Sequence, residues 1–350
     1  MIPLEKIRRI LLIKPSALGD MVQALPVLSV LRERLPAAHI AWVINKSYAP
    51  LLEGHPHLDE ILSFDRASWR RGVTNGFAAT LRFFRLLRRA HFDLVIDLQC
   101  LLRSAMFSWA SAAPVRIGLT SAREGAGWFY THHVKDSRET EHAVDRYWHV
   151  AEALGLGEQP KRFVLPVNAE AEAWADEVLS KMPRPWLAVS VGSRWLTKRW
   201  PVAHFQGLLT RAGNHAGGSA IFVGAREEAG LAERAGHGLP LVTRNLAGRT
   251  TLPQLTAILR RVDAMVSNDT GPLHLAAALG RPIVAPYTCT QVRRNGPYGQ
   301  EQRAVETAVS CAGSYVRHCE RMDCMRELTP DRLWPILREI LTPWQVRRSA

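Results

Sequence analysis

Short apolar runs alternate with helix-length amphipathic stretches along most of the chain. The runs of strand length lie at residues 10–13, 39–44, 93–98, 186–191, 220–223, 264–266 and 282–285. Runs without a polar face, separated by helices, are typical of buried parallel strands. The pattern therefore predicts an α/β protein built from two doubly wound parallel sheets, one in each half of the chain.

The stretch Val262–Pro286 contains the most informative junction between a strand and a helix. Two apolar runs flank Leu273–Leu279, a predicted helix, and polar residues join the first run to it. Such a turn lies at the carboxyl end of a strand, where open α/β sheets bind ligands. The N–H groups at the helix start favour an anion such as phosphate, and His274 would lie beside it. Alternatively, Asp269 and Thr270 serve only as helix caps.

A second polar junction follows the first predicted strand, where Pro15 to Asp20 lead into a helix. Asp20 lies near the start of that helix. A carboxylate in this position interacts with the helix dipole by ~0.3–1 kcal/mol, which is one interpretation. The other is a catalytic carboxylate at the ligand-binding edge of the first sheet.

Length and composition indicate a globular chain with two domains. It has 350 residues, of which 47% are hydrophobic and 22% charged, and it contains no apolar run near the roughly 20 residues of a membrane helix. A linker-like segment at 155–162 separates the halves. We predict a first domain over 1–165, a second domain over 166–328 and a C-terminal helix over 329–350. The N-terminal apolar run is too short for a signal peptide and is closed by Lys14, which favours a first strand and a cytoplasmic protein.

The net charge of +13 predicts anionic partners. In the predicted helix Phe77–Phe92, arginines oppose an apolar face; this helix either packs one face on the core or docks on anionic lipid headgroups. The polar, aromatic loop Thr120–Val134 is a candidate for substrate binding. Scattered arginines and the lack of a known motif argue against nucleic acid.

Several site classes lack their sequence signatures. The chain contains no Walker loop, no GxGxxG after a first strand, no HExxH and no GxSxG, which argues against ATPases, ordinary dehydrogenases, zinc peptidases and α/β-hydrolases. Five irregularly spaced cysteines do not form a disulfide framework. Cys311, Cys319 and Cys324 cluster without a CxxC pair, so plain thiols are favoured over a zinc site.

Four segments together resemble glycosyltransferase family 9, the ADP-heptose:lipopolysaccharide heptosyltransferases. They are ILLIKPSALGDMVQALPVL at 10–28, DLVIDLQCLLRS at 93–104, the Gly-Ser…Lys-Arg-Trp-Pro segment at 192–201 and SNDTGPLHLAAALGRPIVAPY at 267–287. The resemblance implies the GT-B fold, in which two Rossmann-like domains face each other across a cleft. It also implies that the C-terminal helix returns to the first domain.

The resemblance implies a role for each site residue. Asp20 would be the general base that deprotonates the acceptor hydroxyl, and attack would invert the anomeric centre. Lys198 would neutralise charge on the departing diphosphate. The substrate-binding residues would be Ser193 at a phosphate, Glu228 at the ribose with Glu227 as the alternative, Asp269 at the heptose hydroxyls, and Thr270, Gly271 and His274 at the phosphates. Neither a metal nor a cofactor is implied.

The implied donor is ADP-heptose, and the implied acceptor is an acidic glycolipid of the lipopolysaccharide inner core, carrying Kdo or heptose. Arg103, the loop around Arg123 and the basic residues in Arg82–Arg89 would contact it, with the protein bound peripherally at the cytoplasmic face of the inner membrane. The opening segment is closer to the type that adds the first heptose, whereas the cysteine-bearing tail resembles broader members. The alternatives are another nucleotide sugar, or a nucleotide-sugar-binding protein without turnover, which would need neither Asp20 nor Lys198.

Overall fold

The computed structural model describes residues 2–65 and 73–348, and the chain divides into two compact units, Met1–Val167 and Asn168–Ala350. The sequence analysis put this division two residues earlier. Each unit is an α/β layer structure around its own six-stranded sheet.

Over its described residues, 2–65 and 73–167, the first unit contains six parallel strands and four α-helices. The strands are β1 Arg9–Ile13, β2 His39–Asn45, β3 Glu60–Phe64, β4 Leu94–Asp97, β5 Val115–Leu119 and β6 His132–Val134. The helices are α1 Leu18–Arg34, α2 Val73–Arg89, α3 Leu102–Ala110 and α4 Ala143–Ala153. The strand order is β3-β2-β1-β4-β5-β6, which is the Rossmann order.

The second unit repeats this arrangement with more helices. Its strands are β7 Trp186–Ser190, β8 Ser219–Phe222, β9 Val242–Asn245, β10 Ala264–Ser267, β11 Ile283–Tyr287 and β12 Ala304–Glu306. Its helices are α5 Ala169–Ser180, α6 Val202–Ala216, α7 Ala229–Gly236, α8 Leu252–Arg261, α9 Gly271–Ala278, α10 Val292–Asn295, α11 Asp323–Glu327 and α12 Pro330–Arg348. The order β12-β11-β10-β7-β8-β9 is again the Rossmann order, and all pairs are parallel.

An aspartate fixes the start of one central strand in each sheet. Asp93, just before β4, accepts hydrogen bonds of 2.8 Å from the N–H groups of Arg8 and Arg9 at the start of β1. Asp263, just before β10, accepts one of 2.7 Å from Trp186 N–H at the start of β7. Both carboxylates accept hydrogen bonds from N–H groups at the amino-terminal ends of the strands. They thereby align β1 with β4 and β7 with β10, the neighbouring central strands of each sheet.

The buried strands predicted from apolar runs are present, but three edge strands were missed. Strands β3 and β12 were not predicted, and residues 120–134, which were predicted as a loop, end in β6. These strands have three to five residues, and β6 and β12 contain polar, exposed positions. An edge strand of this kind has too little apolar periodicity to be detected from sequence.

A turn separates β4 from helix α3. The helix therefore starts at Leu102, five residues after the end of β4. The Asp97 carboxylate accepts hydrogen bonds of 2.9 and 3.0 Å from the N–H groups of Gln99 and Cys100, and Cys100 has a φ of 54°. This left-handed residue cannot continue a helix.

Helices α2 and α3 cover one face of the first sheet. Phe83 and Leu87 of α2 and Phe107 of α3 are buried against side chains of β1, β2 and β4. Because side chains alternate along a strand, the other face of this sheet is left for other elements, and α1 and α4 pack against each other.

Helix α12 packs against α6 in the second unit. Leu333, Leu337 and Leu341 recur every four residues and are fully buried in the same core cluster as Phe205 and Leu209 of α6. The expected return of the C-terminal helix to the first unit stays a prediction. In the described part of the chain, no helix combines the length and the apolar character needed to cross a bilayer.

We expect Leu337→Ala to lower the free energy of unfolding of the second unit by about 2–5 kcal/mol, because it removes a buried side chain and leaves a cavity. Denaturant unfolding followed by fluorescence measures this change. Glu339→Ala, at an exposed position of the same helix, should change stability by less than about 0.5 kcal/mol. Equal stabilities of the two variants would contradict the packing of α12 on α6.

Candidate functional site

The carboxyl edge of the second sheet holds a cluster centred on Asp269, which follows β10. Lys198, from the loop after β7, donates a hydrogen bond of 2.5 Å from Nζ to Asp269 Oδ2. Thr290, from the loop after β11, donates one of 2.8 Å to the same oxygen. His274, in α9, has its Nε2 3.5 Å from Oδ1. The carboxylate therefore joins the loops that follow three neighbouring strands.

Asp269 is ionised although it is only 7% exposed. Burial alone would raise its pKa. The charge of Lys198 and the interactions with His274 outweigh that effect and hold the pKa of Asp269 well below its usual range. The cluster therefore contains a fixed negative charge with a cation held against it.

Asn268 holds the loop that carries Lys198. It is fully buried, its Nδ2 donates a hydrogen bond of 2.8 Å to the Val191 carbonyl, and its Oδ1 accepts one of 3.1 Å from Trp200 N–H. Asn268 thus spans both ends of the loop between β7 and α6. Ser193 lies in this loop and is buried, and its carbonyl accepts a hydrogen bond of 2.6 Å from Arg199 Nε.

The interpretation of Asp269 and Thr270 as simple helix caps is wrong. Thr270 occupies the N-cap position of α9, but its side chain makes no capping hydrogen bond, and its hydroxyl lies 3.2 Å from Ser267 Oγ. The Asp269 carboxylate is bound by Lys198 and Thr290 instead. Gly271 begins the helix, so the start of α9 presents backbone N–H groups at the same sheet edge as Lys198.

Glu228 lies at the ends of β7 and β8, close to two glycines. Its Oε2 accepts a hydrogen bond of 2.9 Å from Ala225 N–H. A Cβ at Gly192 would lie 2.0 Å from Glu228 Cδ, and one at Gly224 would lie 2.4 Å from Oε2. A side chain at either position would displace the Glu228 carboxyl from this place. Burial raises the pKa of Glu228, whereas Glu227 is exposed, so the geometry favours Glu228 as the residue that faces a ligand at this edge.

Trp195 adds an aromatic surface beside this cluster. Lys198 Nζ and the Arg317 guanidinium carbon each lie 4.7 Å from the centre of a Trp195 ring. Cations in this range are attracted by the face of the indole. Trp195 thus helps to order two cations at the edge of the second sheet.

In the first unit, Asp20 lies in the first turn of α1, at the carboxyl end of β1. Its Oδ2 accepts a hydrogen bond of 3.0 Å from Ala17 N–H. Lys14, the residue after β1, is 2% exposed; its Nζ donates a hydrogen bond of 3.2 Å to the Leu98 carbonyl and lies 4.8 Å from the centre of the Tyr147 ring. Burial opposes the charge on Lys14, but Tyr147 and Asp20 outweigh it and raise the pKa of Lys14. A buried cation therefore accompanies the Asp20 carboxylate.

Three arginines lie near one another on the same side of this unit. Partial burial, together with the charges of Arg146 and Arg123, lowers the pKa of Arg138, whereas Asp20 acts to raise it. Arg146 donates a hydrogen bond of 2.8 Å to Asp136. Within the described residues, no carboxylate lies within ion-pair distance of Arg138. The result is an excess of positive charge near Asp20.

The remaining candidates are the basic residues of α2 and α3 and the thiols near the C-terminus. Arg103 is on α3 and Arg82, Arg85, Arg88 and Arg89 are on α2, all of them exposed. Cys311 and Cys319 are exposed free thiols and Cys324 is half-buried. No group of three or more His, Cys, Asp or Glu among the described residues is arranged to hold a metal ion.

The sequence analysis missed several members of the two clusters. Lys14 carried a detectable signal, because a lysine that closes an apolar strand is unusual and lies at the ligand-binding edge. Tyr147, Thr290 and Trp195 gave no comparable signal, since their positions depend on how separate loops and helices approach each other. Arg138 was hidden among many other arginines.

Comparisons with known proteins identify the family of the chain. The sequence pattern of glycosyltransferase family 9 (heptosyltransferase) matches residues 80–324. The lipopolysaccharide core heptosyltransferase OpsX of Haemophilus influenzae is 26% identical over 305 residues, covering 86% of this chain and 85% of the relative. Lipopolysaccharide heptosyltransferase 1 of Pseudomonas aeruginosa is 28% identical over 317 residues, covering 89% and 87%.

A solved structure shows the same fold. The E. coli heptosyltransferase WaaC with ADP superimposes with a TM-score of 0.74 at 24% identity, covering 95% of this chain and 99% of that one. Its complex with ADP-2-deoxy-2-fluoro heptose gives a TM-score of 0.72 at 23% identity, covering 95% and 99%. The GT-B fold predicted from the sequence is thereby confirmed. With two Rossmann-ordered sheets and a family match over most of its length, the chain belongs to glycosyltransferase family 9, the heptosyltransferases.

Proposed function

We propose that this glycosyltransferase moves heptose from ADP-heptose to an acidic glycolipid of the lipopolysaccharide inner core, with inversion at the anomeric carbon. The observation that carries the proposal is the ionised Asp269 carboxylate, which orders Lys198 and faces His274 at the start of α9. A lysine and a helix N-terminus at the carboxyl edge of a Rossmann-like sheet are suited to a diphosphate. The name of the relative solved with ADP agrees with this assignment.

The diphosphate of the donor would bind between Lys198 Nζ and the N–H groups at the start of α9, with Ser193, Thr270 and Gly271 close to its oxygens. Lys198 would stabilise the negative charge that grows on ADP as its bond to the sugar breaks. In this proposal the charge on the leaving group is offset by protein cations and the helix end, without a metal ion.

The geometry favours a positioning role for Asp269 in place of contact with the heptose hydroxyls. Oδ2 already accepts hydrogen bonds from Lys198 and Thr290, and Oδ1 lies 3.5 Å from His274 Nε2. An oxygen with two donors has little capacity left for a ligand. We therefore assign Asp269 to holding Lys198 and His274 in place for the diphosphate.

Glu228 is the better candidate for the ribose hydroxyls. Its Oε2 is anchored by Ala225 N–H, and the carboxyl lies against Gly192 and Gly224 at the ends of β7 and β8. A carboxylate held in this way accepts hydrogen bonds from two adjacent hydroxyls.

Asp20 would act as the general base on the acceptor. It would take the proton of the attacking hydroxyl while that oxygen forms a bond to the anomeric carbon and the bond to the ADP phosphate oxygen breaks. The buried Lys14 cation beside it would attract the Asp20 carboxylate and help to hold it in place. The anchoring of Asp20 Oδ2 by Ala17 N–H leaves Oδ1 for the acceptor hydroxyl.

The arginines near Asp20 favour an acidic acceptor. Arg138 is partly buried, lies close to Arg123 and Arg146, and has no ion-pair partner among the described residues. A carboxylate or phosphate would offset this excess charge with bidentate hydrogen bonds. An inner-core sugar acid provides such a group, and an acceptor of this kind would place the enzyme at the cytoplasmic face of the inner membrane.

Asp20→Asn is expected to lower kcat by at least about 10²–10⁴-fold, because the amide cannot accept the proton. Radiolabelled transfer from ADP-heptose to a soluble Kdo acceptor measures the rate, and calorimetry with ADP should give an unchanged Kd. Glu53→Gln, an exposed acid of the same unit, serves as the matched control. Near-normal turnover of Asp20→Asn would refute the assignment of the base.

Lys198→Met should weaken ADP binding by about 10–100-fold, as expected for the loss of a charged hydrogen bond of about 1.5–3 kcal/mol. Calorimetry gives the Kd, and Lys198→Arg, which keeps the charge, should retain a larger share of the affinity. Lys181→Met replaces an exposed lysine of the same unit that pairs with Glu177 and should have no effect. Wild-type affinity in Lys198→Met would remove Lys198 from the diphosphate site.

We expect Arg138→Gln to raise KM for a carboxylated acceptor by about tenfold while kcat changes little, because a charged hydrogen bond to the acceptor is lost. The same variant should not alter KM for the methyl ester of that acceptor. Arg162→Gln, at an exposed arginine of the same unit, is the control. An equal effect on the acid and its ester would show that Arg138 does not bind the acceptor charge.

A further inference from the structure

Helix α3 exposes an apolar stripe. Leu102, Met106 and Trp109 recur at intervals of four and three residues, so they lie on one side of the helix, and all three are exposed, with Trp109 at 56%. The opposite side is buried and includes Phe107. A helix that packs on a sheet normally presents polar residues outward, so this outward face is unusual.

Helix α2 also exposes apolar side chains, which lie on either side of a row of arginines. Phe77 is 70% exposed, and Leu81 and Leu86 are also exposed, although Phe83 and Leu87 already bury an apolar face of this helix against the sheet. The core of the unit therefore does not explain the three exposed side chains.

The outward faces of the two helices belong to one surface of the first unit. Phe83 and Phe84 of α2 lie 5.1 and 6.2 Å from the Phe107 ring of α3, measured between ring centres. Both helices cover the same face of the sheet, so their other sides point away from it together. We refer to their six exposed apolar residues as the α2–α3 surface: Phe77, Leu81, Leu86, Leu102, Met106 and Trp109.

Two further features border the α2–α3 surface. The 3₁₀ turn at 126–129 packs against α3 and carries Trp128, which is 92% exposed. Helix α2 contributes four exposed arginines and, over Val73–Arg89, no acidic residue; they are Arg82, Arg85, Arg88 and Arg89. Apolar side chains of this size form a patch that water solvates poorly, and the arginines around it attract anions.

We propose that the α2–α3 surface docks on a lipid bilayer that contains anionic headgroups. Its leucines, phenylalanine and methionine would enter the boundary between headgroups and acyl chains, tryptophan would lie at the interface, and the arginines would contact lipid phosphates. A bilayer supplies both the apolar layer and the one-signed charge that this surface matches. The inference rests on the proposed glycolipid acceptor, because docking would bring the first unit to the membrane in which that acceptor is anchored.

Docking through this surface should give the protein a measurable preference for anionic vesicles. Flotation of the full-length protein with vesicles of phosphatidylglycerol and phosphatidylcholine in a 1:3 ratio should recover most of the protein with the lipid, at about tenfold or greater partitioning over phosphatidylcholine alone. Raising the salt concentration should weaken binding, because surface charges are screened. Equal partitioning onto the two kinds of vesicle would overturn the proposed role of the arginines.

The apolar part of the surface is tested by Met106→Ser combined with Trp109→Ser. Both positions are exposed, so the variant should fold as the wild type does, with an unchanged melting temperature. Its partitioning onto the anionic vesicles should fall by about tenfold or more, since two interfacial side chains no longer bury apolar area. Val167→Ser combined with Val242→Ser, at two other exposed apolar positions, should float as the wild type does.

The charged part is tested by Arg85→Gln combined with Arg88→Gln, which should lower partitioning onto anionic vesicles and flatten its salt dependence. Arg321→Gln, at an exposed arginine of the second unit, is the matched control. If the variants at Met106, Trp109, Arg85 and Arg88 all float as the wild type does, the proposal is wrong. If light scattering shows that the wild type forms a dimer through this surface, the surface binds a second copy of the chain instead of lipid.

Activity separates this inference from the proposed function. The Met106 and Trp109 variant should keep wild-type turnover with a soluble, delipidated acceptor and lose rate with an acceptor embedded in anionic vesicles. If the wild type floats with vesicles but transfers no heptose, the proposed function is wrong and the docking proposal is unaffected. If it transfers heptose but does not float, the docking proposal is wrong and the proposed function is unaffected.

Discussion

A buried ion pair between Lys198 and Asp269 organises the candidate donor site. Removing both charges from water is costly, and the pair is retained because the carboxylate also accepts a hydrogen bond from Thr290 and interacts with His274. The four residues come from the loops after β7 and β11, from the end of β10 and from α9. Breaking the pair would therefore disturb the relative positions of all these elements, together with the cation that we assign to the diphosphate.

The parallel topology explains why residues far apart in sequence meet there. In a parallel sheet with crossover helices, the carboxyl ends of all strands lie at one edge. The order β12-β11-β10-β7-β8-β9 makes β7 and β10 neighbours, so that Asn268 can hold the loop that carries Lys198. The same strand order in the first unit brings the end of β1, with Lys14 and Asp20, beside the end of β4. One arrangement thus produces two chemically different edges: a basic one with a carboxylate, and one with a fixed carboxylate–lysine pair.

The sequence predicted the parts of the molecule that depend on local pattern. Continuous apolar runs identified β1, β4, β7 and β10, because a strand that is buried on both faces is apolar along most of its length. Edge strands such as β6, with two exposed histidines, lack that signal. Asp20 and the Asp269–His274 turn were singled out because glycine, proline and charged residues mark strand ends, whereas Lys198 was implied by the family resemblance.

Properties that depend on tertiary contact were not predicted from the sequence. Both Asp269 oxygens already interact with protein groups, and this changes the role assigned to that residue. No local sequence pattern indicates these contacts. The approach of Arg138 to Arg123 and Arg146, and the burial of Lys14 beneath Tyr147, follow from packing between separate elements. Likewise, the exposed apolar residues of α2 and α3 could be distinguished from core-facing ones only after Phe83, Leu87 and Phe107 had been located in the core.

The central claim is that the carboxyl edge of the second sheet is a site for a nucleoside diphosphate, with the second phosphate bound at Lys198 and the start of α9. Calorimetric titration of the wild-type protein with ADP and with AMP under identical salt conditions tests it most directly. The account predicts that ADP binds at least about tenfold more tightly than AMP, a difference of about 1.4 kcal/mol, and that this advantage shrinks as salt is raised. Equal affinities for the two nucleotides would contradict it.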